Sequence, residues 1–209
     1  MAHEIPLVIS ISRQVGSGGA LLGQQLAERK QMLYLDREII NKVSKKLGIS
    51  AENIEWRDEK VCSAWQTVFN SLASAETILY SPAEFFVPTD KEIFELETEV
   101  ILNAANETPT VVVGRCGFHI LRNHPKHVSI FLHANAEFRI QRIQELSGAP
   151  EKDAMKFIET ADKTRAKYIH AMTGQDMNNA RLYNLSIDTG AIGLEKTEEL
   201  VINYLHSRF

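Results

Sequence analysis

Apolar residues form short runs along the chain, separated by longer amphipathic stretches. The runs at 7–11, 110–114 and 127–133 are almost continuously apolar and rich in β-branched residues. Such runs are typical of parallel strands that are buried on both faces. Two further short strands are predicted at 34–36 and 183–188, which brings the total to about five.

Between these strands, apolar residues recur at intervals of three and four positions, which predicts amphipathic helices. The predicted helices span 21–30, 37–47, 61–80, 91–106, 119–122, 136–146, 152–168 and 194–204. Strands that alternate with helices predict an α/β fold, in which a five-stranded parallel sheet carries helices on both faces. In such folds the ligand lies beyond the carboxyl ends of the strands.

The first strand leads directly into the glycine-rich turn Gly16-Ser17-Gly18-Gly19, and a helical pattern follows. A strand, a glycine loop and a helix form the layout of a phosphate-binding P-loop, where backbone N–H groups converge on an anion. The usual signature continues with lysine and then serine or threonine. Gly19 stands at the lysine position, and the hydroxyl residue is missing as well. A tight turn that binds nothing is the alternative at this stage.

Two further polar residues follow predicted strands, so they point to the same edge of the sheet. Arg115 comes directly after the strand at 110–114, where a guanidinium suits the recognition of phosphate or carboxylate. A salt bridge from Arg115 to a neighbouring helix is the alternative. Asp36 ends the second strand, where it either contacts a ligand or caps the following helix.

The stretch 159–168 is rich in both charges, and Asp162, Lys163 and Arg165 lie within about one helical turn. Phosphoryl transfer needs cations that neutralise the migrating group, and a mobile cationic segment supplies them when it closes. A solvated helix face with ordinary ion pairs is the alternative for this stretch.

Composition narrows the class of protein. The chain has 209 residues and a net charge of −4, which argues against a dedicated nucleic-acid surface. It contains two cysteines, and no apolar run reaches the roughly 18 residues of a membrane span. The seven histidines follow no recognised metal-ligand spacing. We therefore expect a cytoplasmic protein without nucleic-acid or membrane partners.

Taken together, four blocks resemble the cytidylate kinase-like family of P-loop proteins. They occur in the family's order and cover most of the chain from Ile9 to Leu205: Ile11-Ser12-Arg13-Gln14-Val15-Gly16-Ser17-Gly18-Gly19, Tyr34-Leu35-Asp36, Gly114-Arg115-Cys116-Gly117 and Asp162-Lys163-Thr164-Arg165-Ala166-Lys167-Tyr168. The first block is fairly specific, and the others gain weight from their order. The better-known relatives are bacterial cytidylate kinases, which transfer the γ-phosphoryl group of ATP to CMP or dCMP with magnesium.

The resemblance implies a single P-loop kinase-like domain over 1–209, with an acceptor-binding insert at about 49–90 and a lid at about 147–178. It implies ATP and a nucleoside monophosphate as ligands, with magnesium carried by the nucleotide and Ser17 as a possible metal contact. The residues that it places in the site have three roles. Phosphate binding falls to Gly16, Ser17, Gly18, Gly19 and Ala20, acceptor binding to Asp36 and Arg115, and catalysis to Arg13, Asp162, Lys163 and Arg165.

The sequence departs from the family pattern at four positions. Gly19 replaces the P-loop lysine, Leu21 replaces the hydroxyl residue, Cys116 replaces the aspartate after Arg115, and Ile158 stands where a further lid arginine is expected. Arg13 is the nearest cation in sequence that could replace the lysine charge. Two functions remain open: a nucleoside monophosphate kinase-like phosphotransferase, or a degenerate P-loop domain that binds a nucleotide or a phosphorylated ligand without turnover.

Overall fold

The computed structural model describes residues 4–37, 40 and 91–209. The predicted helix at 61–80 and the predicted acceptor-binding insert at 49–90 lie outside the described residues, as does most of the predicted helix at 37–47. Among the described residues, no helix is both long and apolar enough to cross a lipid bilayer.

Five parallel strands form one sheet, as predicted. They are β1 (Val8–Arg13), β2 (Leu33–Leu35), β3 (Thr110–Val113), β4 (His127–His133) and β5 (Leu185–Asp188). Their spatial order is β2-β3-β1-β4-β5, and every neighbouring pair is parallel. Strand β1 is therefore central, between β3 and β4, and its burial explains the apolar run that opens the chain.

The helices of the described residues cover both faces of this sheet. They are α1 (Gly19–Lys30), α2 (Lys91–Glu107), α3 (Gly117–Ile120), α4 (Ala136–Ser147), α5 (Glu151–Thr173), α6 (Thr189–Ile192) and α7 (Leu194–Arg208), with a short 3₁₀ turn at Ala180–Leu182. Leu22 of α1 and Val201 of α7 pack on the face that carries Ile9 and Ile11 of β1. Helices α2 and α3 pack on the opposite face, which carries Val8. The three-layer α/β/α architecture follows from this division.

Some predicted boundaries were wrong. Strand β2 begins one residue earlier than predicted, at Leu33, and α3 begins two residues earlier, at Gly117. Strand β5 begins at Leu185 rather than at 183, because the backbone N–H of Ser129 donates to the Asn184 side chain at 2.9 Å instead of joining the ladder. Helix α5 continues five residues beyond the predicted end at 168 and stops at Gly174, which has a φ of +67°.

The connection that follows β1 runs to β2, at one edge of the sheet, whereas the connection that follows β4 runs to β5, at the opposite edge. The order of the strands therefore changes direction between β1 and β4. In open α/β sheets such a point opens a ligand crevice at the carboxyl edge. The glycine loop lies at this edge, directly after β1, as predicted. Helices α4 and α5 pack together beside the loop, where Val15 is buried with Ile143, Ala154 and Ile158. Ile158 therefore contributes to a small apolar contact beside the loop.

Candidate functional site

The loop between β1 and α1 depends on glycine at two positions. Gly16 and Gly18 have φ values of +82° and +85°, in the left-handed region that disfavours side chains. A Cβ on Gly16 would lie 2.9 Å from the backbone oxygen of Arg139, and one on Gly18 would lie 2.3 Å from a methyl carbon of Leu194. These glycines let the chain turn sharply while α4 and α7 approach it closely.

The turn leaves backbone donors available at the amino end of α1. Leu22 is the first residue whose N–H joins the helix, through the oxygen of Gly18 at 3.0 Å. Among the described residues, no protein acceptor is found for the N–H groups of Gly19, Ala20 and Leu21, and no side chain caps the helix. Converging N–H groups at a positive helix end bind anions well. Gly18, Gly19 and Ala20 lie at this helix end, and their contact with a phosphate stays a prediction.

Ser17 faces the interior of the protein. Its side chain is fully buried, and its hydroxyl donates to the oxygen of Gln14 at 2.8 Å and lies 3.2 Å from the oxygen of Leu132. Thr189 in turn donates to the backbone oxygen of Ser17 at 2.9 Å. These bonds stabilise the shape of the loop. In this orientation the hydroxyl does not face the helix end, so the geometry gives no support to the predicted magnesium contact.

Asp162 ties α5 to the loop. Its Oδ1 accepts the N–H of Val15 at 2.8 Å, and its Oδ2 accepts a bond from Nη1 of Arg139 at 2.5 Å. The same Arg139 nitrogen lies 3.2 Å from the backbone oxygen of Val15. Sequence reasoning missed Arg139, because no motif or spacing singled it out from other helix arginines. Arg139 and Asp162 side chains are 12% and 23% exposed, so the pair is only partly screened by water.

The two other charged residues predicted on α5 behave differently. Nη1 of Arg165 donates to the backbone oxygen of Arg13 at 2.8 Å and lies 3.8 Å from Asp162. The structure thus brings Asp162 and Arg165 together at the end of β1. Lys163 is exposed and makes no hydrogen bond or ion pair with the described residues, so its predicted catalytic role has no geometric support.

Arg13 extends from the end of β1 towards β3. Its Cβ and Cγ lie 2.8 Å from the position that a Cβ on Gly19 would take. Its Nη1 lies 2.0 Å from the position of a Cβ on Gly114, which has a φ of +81°. Burial lowers the pKa of Arg13, whereas the nearby Tyr34 and Asp36 raise it and Arg115 lowers it. The ends of β1, β2 and β3 therefore meet around one guanidinium.

Arg115 forms the salt bridge that was the alternative to a ligand contact. Its guanidinium pairs with Glu97 of α2, and both side chains are almost fully buried. Nη2 also donates to the hydroxyl of Tyr168 on α5 at 2.9 Å, and that hydroxyl lies 3.2 Å from Glu97. Acceptor binding by Arg115 stays a prediction. What the contacts establish is a buried cluster that joins α2, the loop after β3 and α5.

The loop after β3 is strained. Gly114, Arg115 and Cys116 all have positive φ, at +81°, +50° and +55°. Such conformations persist when the surrounding structure imposes them, and they occur often at functional sites. Burial raises the pKa of the Cys116 thiol to about 12, which keeps it protonated and unsuited to nucleophilic chemistry.

Asp36 lies at the start of a helical turn, where its backbone oxygen accepts the N–H of Ile40 at 3.0 Å. This position fits the capping alternative. Its carboxylate also acts on Arg13, whose pKa it raises. Its predicted contact with an acceptor stays a prediction, since the predicted insert lies outside the described residues.

A magnesium ion would find few ligands here. The described residues contain no group of three or more His, Cys, Asp or Glu side chains able to hold a metal. Asp162 is already engaged by Val15 and Arg139, and Ser17 is turned inward. The described residues therefore do not fit a metal held by the protein, and any magnesium would have to arrive on the phosphates of a nucleotide.

Comparisons with known proteins identify the family and the fold of the chain. The model of a family described as the cytidylate kinase-like family matches residues 8–191. The cytidylate kinase of Pyrococcus horikoshii is 25% identical over 185 residues, which cover 88% of this chain and 80% of that protein.

Solved structures support the fold alone. An uncharacterized protein from Eubacterium ventriosum superposes with a TM-score of 0.71 at 23% identity, covering 97% of this chain and 99% of the other. A gluconokinase from Sinorhizobium meliloti superposes with a TM-score of 0.53 at 14% identity, covering 98% and 94%. Kinases with the same architecture thus occur among the structural neighbours.

Proposed function

Because this chain belongs to the cytidylate kinase-like family, we propose that it is a nucleotide-binding phosphotransferase. The donor is ATP, with magnesium carried by the nucleotide, and the acceptor is CMP, dCMP or a related phosphoryl acceptor. The observation that supports this most directly is the amino end of α1, where three N–H groups lack acceptors among the described residues, next to the arginines of β1, α4 and α5.

Each part of the site has a role in this proposal. The N–H groups of Gly19, Ala20 and Leu21 bind donor phosphates. Arg139 and Arg165 place positive charge beside the loop, which stabilises the negative charge on a migrating phosphoryl group. Both arginines also contact Asp162, which holds their guanidinium groups in place. Catalysis in this reaction is mostly a matter of position and charge, so a scaffold of this kind suffices.

Arg115 and Asp36 extend the proposal to the acceptor. Both follow strands on the β3 side of the loop, and both act electrostatically on Arg13. An acceptor phosphate bound there would approach the donor from the side opposite to α4. Since Arg115 is held by Glu97 and Tyr168, its position would be fixed before the acceptor arrives.

A second candidate function is anion binding without turnover. One observation favours it: Asp162 occupies the Val15 N–H and neutralises Arg139, so part of the positive charge at the loop is already compensated. The missing lysine points in the same direction, as does the absence, within the described residues, of three or more clustered side chains able to hold a metal. Such a domain would bind a nucleotide or phosphorylated metabolite and report its presence.

The test separates the two candidates. Melting temperatures are measured with ATP, ADP, CMP and dCMP, each with and without magnesium, and ADP release from ATP is then followed with each monophosphate. We expect ATP to raise the melting temperature and a monophosphate to stimulate ADP release. ATP binding with no ADP release for any acceptor would favour the second function. Absence of any nucleotide effect would contradict both.

A charge variant locates the binding site. Ala20→Asp adds a carboxylate to the first turn of α1, where it favours the helix but repels phosphate. We expect ATP affinity to fall while the melting temperature without ligand stays close to that of the unmodified protein. Ala136→Asp makes the same change at the exposed first position of α4 and serves as the matched control.

A further inference from the structure

The side chain of Arg13 fills the space that a P-loop lysine would need. A Cβ on Gly19 would lie 2.8 Å from both Cβ and Cγ of Arg13, and 3.3 Å from its Cδ. Contacts shorter than 3.0 Å require one of the partners to move, because packed atoms strongly resist overlap. Any side chain at position 19 would therefore displace the stem of Arg13. The two residues are sterically linked, although they are six positions apart.

The guanidinium of Arg13 lies close to Gly114. Its Nη1 lies 2.0 Å and its Cζ 3.1 Å from where a Cβ on Gly114 would lie. A side chain at 114 and the present course of Arg13 therefore exclude each other. Gly114 also has a φ of +81°, so the backbone conformation favours glycine there as well. The positive charge of Arg13 therefore lies at the end of β3 rather than at the start of α1.

Among the described residues, no hydrogen bond or ion pair is found for this guanidinium. Arg13 is only partly exposed, and burial lowers its pKa. Arginine nevertheless stays charged at neutral pH. The nearby Asp36 compensates this desolvated charge only through an electrostatic effect, and an anionic ligand in contact with the guanidinium would stabilise it further.

We propose that Arg13, Gly19 and Gly114 form one unit in which the guanidinium of Arg13 replaces the P-loop lysine from the β3 side of the loop and binds a phosphate of the ligand. This inference rests on the proposed function, because it assumes that the loop holds a nucleotide. The ligand is a nucleoside polyphosphate: one phosphate lies at the start of α1, and a second reaches Arg13 between β1 and β3. The arginine thereby faces the proposed acceptor side, near Asp36 and Arg115.

Because the guanidinium of Arg13 lies near the end of β3, its contribution to binding should depend on the number of phosphates in the ligand. A single phosphate at the amino end of α1 satisfies the backbone N–H groups without reaching the end of β3. The contribution of Arg13 should therefore be large for ATP and tripolyphosphate and small for orthophosphate. A lysine at position 19 would act directly at the helix end and would not discriminate in this way.

The experiment compares binding constants by calorimetry for the unmodified protein, Arg13→Gln and Arg13→Gly, with ATP, tripolyphosphate and orthophosphate as ligands. We expect both variants to bind ATP and tripolyphosphate about tenfold to a hundredfold more weakly, as loss of a charge-assisted contact implies. Orthophosphate affinity should change less than threefold by the same reasoning, because its contacts are backbone N–H groups. Melting temperatures measured in parallel show whether each variant is folded.

A second experiment moves the cation from position 13 to position 19. Gly19→Lys alone should lower the melting temperature, because the new stem collides with Arg13. The double variant Arg13→Gly with Gly19→Lys removes the collision and returns a cation to the loop. We expect it to bind ATP more tightly than Arg13→Gly alone.

The outcomes are distinguishable. If the unmodified protein binds neither ATP nor tripolyphosphate, the proposed function and this inference both fail. If it binds ATP and Arg13→Gln binds equally well, only the inference fails. If the double variant is no more stable than Gly19→Lys alone, the steric link between the two positions is wrong.

Discussion

Asp162 on α5 accepts a hydrogen bond from the backbone N–H of Val15, in the turn after β1, with an oxygen-to-nitrogen distance of 2.8 Å. The two residues are 147 positions apart in the chain. The carboxylate thus binds the loop through a backbone donor, as a phosphate oxygen would, and its second oxygen engages Arg139. This contact couples the position of α5 to the shape of the loop.

Asp162→Asn should separate the hydrogen bond to Val15 from the neutralisation of Arg139. The amide oxygen can still accept the Val15 N–H, but the negative charge that neutralises Arg139 is lost. We expect the free energy of unfolding to fall by about 1–2 kcal/mol. ATP affinity should rise roughly fivefold, corresponding to about 1 kcal/mol for a partly exposed charge. Chemical denaturation and calorimetry measure the two quantities.

Asp153→Asn is the matched control for that variant, because Asp153 is exposed in the first turn of the same helix. It removes the same charge at a distance from the loop contact. A fall in ATP affinity on Asp162→Asn, with Asp153→Asn unchanged, would contradict the compensating role of Asp162 and would make it a group that supports binding.

Glu97→Gln should be strongly destabilising. Glu97 is 1% exposed and pairs with the buried Arg115, so Glu97→Gln removes the negative charge from a buried ion pair. Breaking a buried pair in this way costs about 3–5 kcal/mol. Urea denaturation at neutral pH measures the loss.

The exposed pair of Glu4 and Lys126 supplies the contrast. Its atoms are 3.0 Å apart, but the Glu4 side chain is 88% exposed. Glu4→Gln should change stability by less than about 1 kcal/mol, because water screens the interaction. Equal losses for the two variants would show that burial does not determine the strength of the Glu97 contact.

Gly114→Ala should affect both stability and ligand binding. The left-handed backbone costs a side chain about 1–2 kcal/mol, and the new Cβ would also collide with the guanidinium of Arg13. We therefore expect a lower melting temperature together with weaker ATP binding. Gly148→Ala isolates the backbone cost, since Gly148 has a φ of +69° but no atom within 4 Å of its would-be Cβ. If the two variants have the same ATP affinity, the contact between Gly114 and Arg13 has no part in binding.

His127 should make stability depend on pH. Burial lowers its pKa from 6.5 to about 4, and Nε2 lies 2.8 Å from the hydroxyl of Ser10. Between these two values the unfolded chain binds the proton and the folded chain does not, so stability falls as the pH drops from about 6.5 to about 4. The full loss from this residue is about 3 kcal/mol, because one pKa unit corresponds to 1.36 kcal/mol.

Denaturation midpoints at pH 7 and pH 5 test this expectation. His127→Gln should reduce the difference between them, although the lowered pKa values of His119 and His124 add a smaller dependence of the same sign. His170→Gln removes an exposed histidine and serves as the control. An unchanged pH dependence in His127→Gln would contradict the assignment.

Hydrogen exchange tests the predicted lid at about 147–178. The segment around Asp162 and Arg165 is bonded to the end of β1, whereas both ends of α5 lie farther from these contacts. We expect the whole segment to exchange faster than β1 and β4 without ligand and to become protected when ATP is added. Protection equal to that of the central strands, unchanged by ATP, would contradict a closing lid.

The amino-acid sequence by itself determined the fold and the place of the loop. Continuous apolar runs at β1, β3 and β4 predicted buried parallel strands, and the glycines after β1 predicted a turn at the carboxyl edge. These features are local: burial on both faces demands apolar residues, and a left-handed turn demands glycine. The family resemblance was recognisable for the same reason, since its blocks are short and contiguous.

Only the tertiary structure decided what the charged residues contact. Arg115 was found with Glu97 rather than at an open edge, Lys163 was left exposed, and Arg139 joined Asp162 without any sequence signal. Ion pairs of this kind depend on which helices and strands pack together. An arginine can reach several carboxylates in the folded chain, and the order of residues along the sequence does not indicate which of them it will contact. The path of the Arg13 side chain past Gly19 and Gly114 could not be predicted from the sequence either. It depends on the space that these two glycines leave unfilled, and that space is defined only once the chain has folded.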